Sequence, residues 1–248
     1  MQKTSVPLSN EIMEDIKDLP NQGLVQAVIE GRRLGDIYSN DPARYVVIKT
    51  AGPYTFLAGQ IKPEEVSKIC TFLSTLGTIK LVCKELYHHL FVKAGWMICP
   101  RIELFTSQGI LNLNEPKLKE GWEAQEITSV ELFAQCAWYS VICERYGSAE
   151  HFLKRGGWLI GVCKGGEVLG EAYGLIGGNM CELGIATKPE YKGEGISTIT
   201  TKHLIKKSRE QGLIPVWSCD QQNVESLITA LKVGCYINRY YAFLVNNI

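Results

Sequence analysis

Between Trp158 and Thr187 the chain reads WLIGVCKGGEVLGEAYGLIGGNMCELGIAT, three apolar, β-branched runs divided by Gly165-Gly166 and Gly177-Gly178. Glycine pairs supply the positive φ angles that tight hairpin turns require, so the stretch predicts a meander of three antiparallel strands. It runs directly into PEYKGEGISTITTKHL, Pro189 to Leu204, where Gly193 and Gly195 stand two residues apart before a segment with the spacing of an amphipathic helix. Glycine lets the backbone take φ > 0 and lets a ligand or another backbone come close. A helix N-terminus has free N–H groups and about half a positive charge, so a glycine loop leading into one is suited to holding phosphate oxygens. The same loop also serves as an ordinary strand-to-helix turn, and its neighbours have to decide.

Beyond the loop the helix is expected to reach Gln211. A strand follows at GLIPVWSC, then a helix at NVESLITALKVG capped by Asn223 or Gln222, and a closing strand at YYAFLV. Upstream, residues 9–36 predict two short helices around DLPNQG, and RYVVIKTAGPYTFLAGQI predicts two strands broken at Gly52-Pro53. PEEVSKICTFLSTLG has proline in its first turn, early acids and a closing Gly77, which marks a helix. TIKLVC then reads as a strand, KELYHHLFVKAG as a helix and WMICPRIELF as a strand interrupted by Pro100. Residues 106–125 are the least periodic, which places a domain boundary near residue 118, with one domain over 1–118 and another over 119–248. Residues 122–157 complete the second domain with a strand and one or two helices ending at Gly156-Gly157.

The chain has 248 residues, 46% apolar and 21% charged, the make-up of a globular protein with a sizeable core. Its 26 Lys and Arg balance 26 Asp and Glu, so no overall field favours nucleic acid or an acidic membrane surface. Nine cysteines without ligand spacing read as reduced buried thiols rather than a disulfide or zinc framework, and no metal site is expected. The N-terminal MQKTSVPLSNEIMEDIKDL lacks an apolar signal core, and no run of 18 apolar residues occurs, which together point to a cytoplasmic protein.

The order in residues 122–248, together with KGEGIS, resembles the GNAT acetyltransferases. Their signature is Gln/Arg-x-x-Gly-x-Gly/Ala, and here Lys192 stands at the basic or amide position, Gly195 at the glycine and Ser197 at the small residue. ELGIATKPEYKGEGIS looks like the family's fourth strand, Pro-x-Tyr turn and loop, and NVESLITALKVG like its Asn-x-x-Ser/Ala segment. The likeness is nearest to the bacterial subgroup that includes the zwittermicin A resistance acetyltransferase. It implies an α+β fold with a C-terminal mixed sheet flanked by helices, and it makes the N-terminal mixed α/β domain a candidate degenerate GNAT-like half. A Walker A loop is excluded because no Gly-Lys-Ser/Thr follows. A dinucleotide fold is excluded because the loop is not GxGxxG and the strands before it are antiparallel.

The resemblance implies acyl transfer from acetyl-CoA to an amine of a small molecule, or alternatively a catalytically weak acyl-CoA-binding module with a regulatory or scaffolding role. By family precedent the pyrophosphate would lie on the backbone of Lys192, Gly193, Glu194, Gly195, Ile196 and Ser197. The pantetheine arm would run beside Ile185, Ala186 and Thr187, with Asn223 and Ser226 facing the coenzyme. Glu182 is the candidate base, against a solvated strand-end carboxylate. Where the family often has a tyrosine acid, seven residues after the motif asparagine, this chain has Ala230, leaving Tyr240, Tyr241 or solvent. Strand alternation lets one of the two tyrosines point inward. The acceptor pocket is expected from residues 129–155 and part of the first half, at the domain interface. No second coenzyme site is expected in residues 1–118, because Pro63 with Glu64-Glu65 puts negative charge at the helix start there, and a 119–248 fragment should keep the site.

Overall fold

The computed structural model describes residues 1–4, 7–40, 44–107 and 116–246. In the first half, β1 (Gln2–Lys3), α1 (Asn10–Lys17) and α2 (Gln22–Ile29) lead into β2 (Gly35–Ser39), β3 (Tyr45–Thr50) and β4 (Tyr54–Gly59). These are followed by α3 (Val66–Ser74), β5 (Lys80–Val82), α4 (His88–Lys93) and β6 (Trp96–Thr106). The second half repeats the order. β7 (Trp122–Glu126) precedes α5 (Val130–Phe133), α6 (Tyr139–Tyr146) and α7 (Ala149–His151), then β8 (Gly157–Lys164), β9 (Glu167–Gly177) and β10 (Met180–Thr187). α8 (Ile196–Glu210), β11 (Ile214–Asp220), α9 (Val224–Lys232) and β12 (Cys235–Asn246) close the chain.

The described strands form one mixed sheet in the order β1-β2-β3-β4-β5-β12-β6-β11-β10-β9-β8-β7. Each half has an antiparallel meander whose last strand passes through a helix to a parallel neighbour, β4 to β5 through α3 and β10 to β11 through α8. The final strands of the halves are exchanged. β6 pairs with β11, β12 pairs with β5, and β6 and β12 pair with each other along their length. The link near residue 118 joins the two repeats, and the sheet itself runs across that division.

Alternation along the strands feeds apolar side chains to both faces. Val46, Ile48, Phe56 and Phe243 meet Ile12, Ile16, Leu24 and Val28 of α1 and α2 and, in the second half, Phe133, Ile142 and Phe152. On the opposite face Val47, Leu57, Leu81 and Leu244 pack on Ile69 and Leu73 of α3 and Phe91 of α4. Also on that face, Ile102, Leu104, Cys181 and Trp217 pack on Leu204 of α8 and Ala230 of α9. All nine cysteines are unbridged.

Two local expectations are corrected. β6 runs through Pro100 without interruption, because its ladder with β11 starts only at Arg101 and the Pro100 carbonyl accepts from Gln221 N at 3.2 Å, so the missing N–H costs no ladder bond. The second hairpin turn is Gly178-Asn179, since Gly177 still pairs with Met180 in β9. A Cβ on Gly177 would lie 2.0 Å from the Gly23 carbonyl, so glycine is needed there to let α2 approach.

Candidate active site

β10 and β11 pair in parallel only over Met180–Leu183 against Ile214–Trp217. Past Leu183, β10 continues to Thr187 paired with β9 alone, while β11 continues to Asp220 paired with β6. The strands therefore part, and Gly184–Thr187 has no partner strand on its β11 side. The glycine loop lies at the open end of this gap, with Gly193 at φ 84° and Gly195 at φ 81°, and no side chain caps the first turn of α8. Ile185, Ala186, Thr187, Lys192, Gly193, Gly195, Ile196, Ser197, Asn223 and Ser226 together line one cleft of about 560 Å³. Glu194 turns away and pairs with Lys119 at 2.8 Å.

Small polar contacts set the walls of the cleft. Thr187 and Ser197 share a hydroxyl hydrogen bond of 2.8 Å between β10 and α8. Asn223 caps α9 by accepting from Ser226 N at 3.0 Å, and Trp217 Nε1 donates to Ser226 Oγ at 3.0 Å. Tyr191, Thr198, Glu225, Thr229 and Lys232 also line the cleft and were not singled out from the sequence. The signal for two of them was the three-residue spacing Asn223, Ser226, Thr229, Lys232 along one helix face. A Cβ on Gly195 would meet Pro116 at 2.8 Å, whereas one on Gly193 would meet nothing, so the space for a ligand is at Gly193.

Glu182 and Tyr241 belong to a second polar centre on the α2 face of the sheet. Alternation turns Tyr241 inward and leaves Tyr240 63% exposed. Tyr241 Oη donates to Asn21 Oδ1 at 2.8 Å, and Asn21 Nδ2 donates to Ser218 Oγ at 2.9 Å and Glu182 Oε2 at 3.4 Å. Gly23 N donates to Glu182 Oε1 at 3.1 Å. Next to this lies Glu103, which accepts from Arg239 Nε at 2.6 Å, Asn238 Nδ2 at 3.0 Å and Asn21 N at 3.2 Å. Burial first, and then the charge of Glu103, push the Glu182 carboxyl up to about 8, against the opposing pull of its hydrogen bonds and Arg239. Burial likewise pushes the Tyr241 phenol up to about 12.

Asn21 holds this centre together and was missed. It is buried, with φ 55° and ψ 39°, the one non-glycine residue in the left-handed region among the described residues. DLPNQG marked a turn, but nothing in it announced a contact with residues 182, 218 and 241. Glu182 is not among the residues lining the cleft beside α8, and Ala230 of α9 is wholly buried in the core. A further cleft of about 560 Å³ opens beside Tyr240 and Tyr241, with Lys84 and His88 on its wall. Lys84 is paired with Asp15 at 2.5 Å, and burial lowers the His88 imidazole.

The corresponding place in the first half is filled by the chain's own carboxylates. Glu65 accepts from Lys62 N at 2.9 Å and pairs with Arg44, and Asp15 Oδ2 accepts from Gly59 N at 2.8 Å.

The family model described as GNAT acetyltransferase matches residues 14–244. A curated relative, the uncharacterized N-acetyltransferase YdfB of Bacillus subtilis, is 28% identical over 119 residues, 48% of this chain and 46% of that protein, so the match spans about half the length of each. Among solved structures, a GCN5-related N-acetyltransferase-like protein from Streptococcus suis superposes with a TM-score of 0.72 at 23% identity, covering 94% of this chain and 96% of the other. A GCN5-related N-acetyltransferase from Kribbella flavida gives a TM-score of 0.64 at 15% identity over 90% and 94%. A tandem GNAT protein from the clavulanic acid biosynthesis pathway gives 0.57 at 12% identity over 98% of both chains. At these identities the structural likenesses speak for the fold. No helix of the described residues is long and apolar enough to cross a membrane. With the family model spanning almost the whole length, both repeats included, the chain belongs to the GNAT acetyltransferase family.

Proposed function

We propose that the chain transfers an acetyl group from acetyl-CoA to an amine of a small molecule, using one coenzyme site in the second half. The observation that carries this reading is the parting of β10 and β11 at Leu183 beside the uncapped start of α8. When bound, acetyl-CoA supplies the acetyl group as an activated thioester. The backbone N–H groups at 193–198 and Lys192 offer positive potential for a pyrophosphate. The stretch Ile185–Thr187, with no partner strand on this side, can hydrogen-bond an extended arm and offers a backbone donor for a developing oxyanion. Tyr241, held protonated at neutral pH, is the candidate acid. Glu182, pushed up to about 8, is the candidate base, taking a proton in its ionised fraction, and Asn21 holds it and Tyr241 in place rather than carrying the proton. On the loop sequence and the 223–234 segment, the subgroup that includes the zwittermicin A resistance acetyltransferase is our placement within the family.

Calorimetry with acetyl-CoA, followed by thiol release across a panel of amines, tests this. One site per chain and release with at least one amine are expected. Absence of coenzyme binding would overturn the reading, and binding with no release for any amine would select the non-catalytic acyl-CoA-binding module instead.

A further inference from the structure

On the face of the sheet opposite α8 and α9 lies a group of cationic and phenolic side chains that the cleft beside α8 does not use, reaching the gap between β10 and β11 at Tyr173 and Trp138. Tyr173 of β9 stands in register with Gly184, and its ring lies so close across β10 that a Cβ on Gly184 would sit 2.2 Å from Tyr173 Oη. Trp138 packs on Tyr173 with ring centroids 5.3 Å apart and donates from Nε1 to the Ile185 carbonyl at 3.4 Å. Farther across the sheet, Arg101 lies 4.9 Å from the Phe243 ring centroid, and Phe243 stacks with Tyr241 at 5.6 Å and Tyr54 at 5.4 Å. Arg33 follows α2, with its guanidinium 5.7 Å from the Tyr146 ring centroid. Arg145 comes from α6 and lies against Gly52, whose added Cβ would be 3.0 Å from Arg145 Nε.

These cations lack counter-charges. Among the described residues, no carboxylate oxygen comes within 4.0 Å of Arg33, Arg101 or Arg145, although Arg239 and Lys84 nearby are both paired. Arg33 is 2% exposed and donates from Nη2 to the Ala51 carbonyl at 2.7 Å, yet its Nε and Nη1 are buried without a partner. Arg101 Nε and Arg145 Nε are buried without a partner as well, while the phenol of Tyr146 stands beside the Arg33 guanidinium and that of Tyr241 beside Arg101. A purely structural buried arginine spends its donors on carbonyls or a carboxylate, because an unpaired buried charge is costly. Burial, reinforced by the charge of Arg145, lowers the Arg33 guanidinium, and burial raises the phenols of Tyr146 and Tyr173. Tyr54, Arg145 and Tyr173 nevertheless keep part of their surface open.

We propose that this group of side chains frames the acceptor site and that the acceptor is an amine that also carries a carboxylate, held by Arg33 and Arg145 with its amine turned toward Gly184 and Ile185. This rests on the acetyl-transfer reading above. A fork of guanidinium donors suits a planar carboxylate, and the rings of Tyr54, Trp138 and Tyr173 supply apolar sides for the carbon skeleton between the two ends. In the step itself the neutral amine nitrogen forms a bond to the acetyl carbon as the carbon–sulfur bond breaks. The amine gives up one proton, the departing thiolate gains one, and the acceptor keeps its carboxylate throughout.

The test uses pairs of ligands, amino carboxylates from glycine to 6-aminohexanoate and the common amino acids, each against its own carboxamide, with the full-length protein saturated with coenzyme A. Calorimetry is expected to find at least one carboxylate bound about 10–100-fold more tightly than its amide, the range of charge-assisted hydrogen bonds. Thiol release from acetyl-CoA should show the same preference. Arg145→Gln, at a half-buried position, should erase the preference while leaving coenzyme affinity unchanged, and Arg33→Gln, at the other holding side chain, provides a second probe if it folds poorly. Equal binding of carboxylates and amides, preference for a polyamine, or an undiminished preference in Arg145→Gln would overturn the proposal. Carboxylate-selective binding without thiol release would support the anion site and overturn the transfer reading, so the two failures are distinguishable.

Discussion

Glu182 carries a proton in the folded protein that an exposed carboxyl would have released, and this sets a pH signature. Its folded value of about 8 lies above the ordinary 4.5, so between these values the native state binds more protons than the unfolded chain. The contribution is fully present below 4.5 and is lost as pH rises toward 8. Thermal melts of the wild type should therefore fall across that window, and Glu182→Gln, neutral throughout, should flatten the fall by several degrees. Equal slopes in the two proteins would show that Glu182 ionises freely. At the neighbouring position, Tyr241→Phe should lower turnover roughly 10²–10⁴-fold with coenzyme affinity nearly unchanged, while Tyr240→Phe, altering an exposed ring, should do neither. If steady-state kinetics show both phenylalanine variants at full turnover, the proton for the leaving thiolate comes from elsewhere.

At the scale of elements, α8 works through its first turn and the strand before it. The loop needs positive φ at residues 193 and 195, but the two glycines do different jobs. Gly195 makes room for Pro116, and Gly193 leaves open space in the cleft. Gly193→Val should cost the fold about 1–2 kcal/mol for a left-handed non-glycine residue. It should also weaken acetyl-CoA binding at least about ten-fold by crowding a site that needs close backbone approach. Calorimetry beside a thermal melt separates the effects, and a folded variant with unaltered affinity would remove the loop from the coenzyme site. The matching helix start in the first half already has Glu65 on its backbone donors, so we expect the same titration to show a single site.

The whole molecule is two repeats that exchange their last strands. Each half-sheet is completed by the other half, which bears on what a fragment can do. A piece spanning 119–248 lacks β6, which sits between β11 and β12, and so exposes the ladder edge of β11 from Val216 to Asp220. It also loses Asn21 and Glu103 from beside Glu182. This topology argues against a coenzyme site surviving in the fragment. We expect poor dispersion in its amide NMR spectrum and no acetyl-CoA binding, with both restored when residues 1–107 are supplied in trans. A well-dispersed, coenzyme-binding fragment would show that β11 and β12 can close without β6.

The sequence by itself determined what is local. Glycine pairs placed the meander turns to within a residue, and alternation required one of Tyr240 and Tyr241 to point inward, leaving the structure to show that it is Tyr241. KGEGIS before an amphipathic helix marked the loop that lines the cleft, because φ preference, capping and periodicity act over a few residues. Tertiary structure decided what depends on partners distant in the chain. Pro100 is tolerated because β11 happens to end beside it, and the exchange of β6 and β12 has no local signature because either strand presents the same apolar alternation to either neighbour. Asn21 meets Glu182 across 161 positions, and Arg33, just past α2, lies over the Tyr146 ring of α6. Burial, which sets the charge of Glu182 and the cost of leaving that arginine unpaired, exists only once the chain has closed around them.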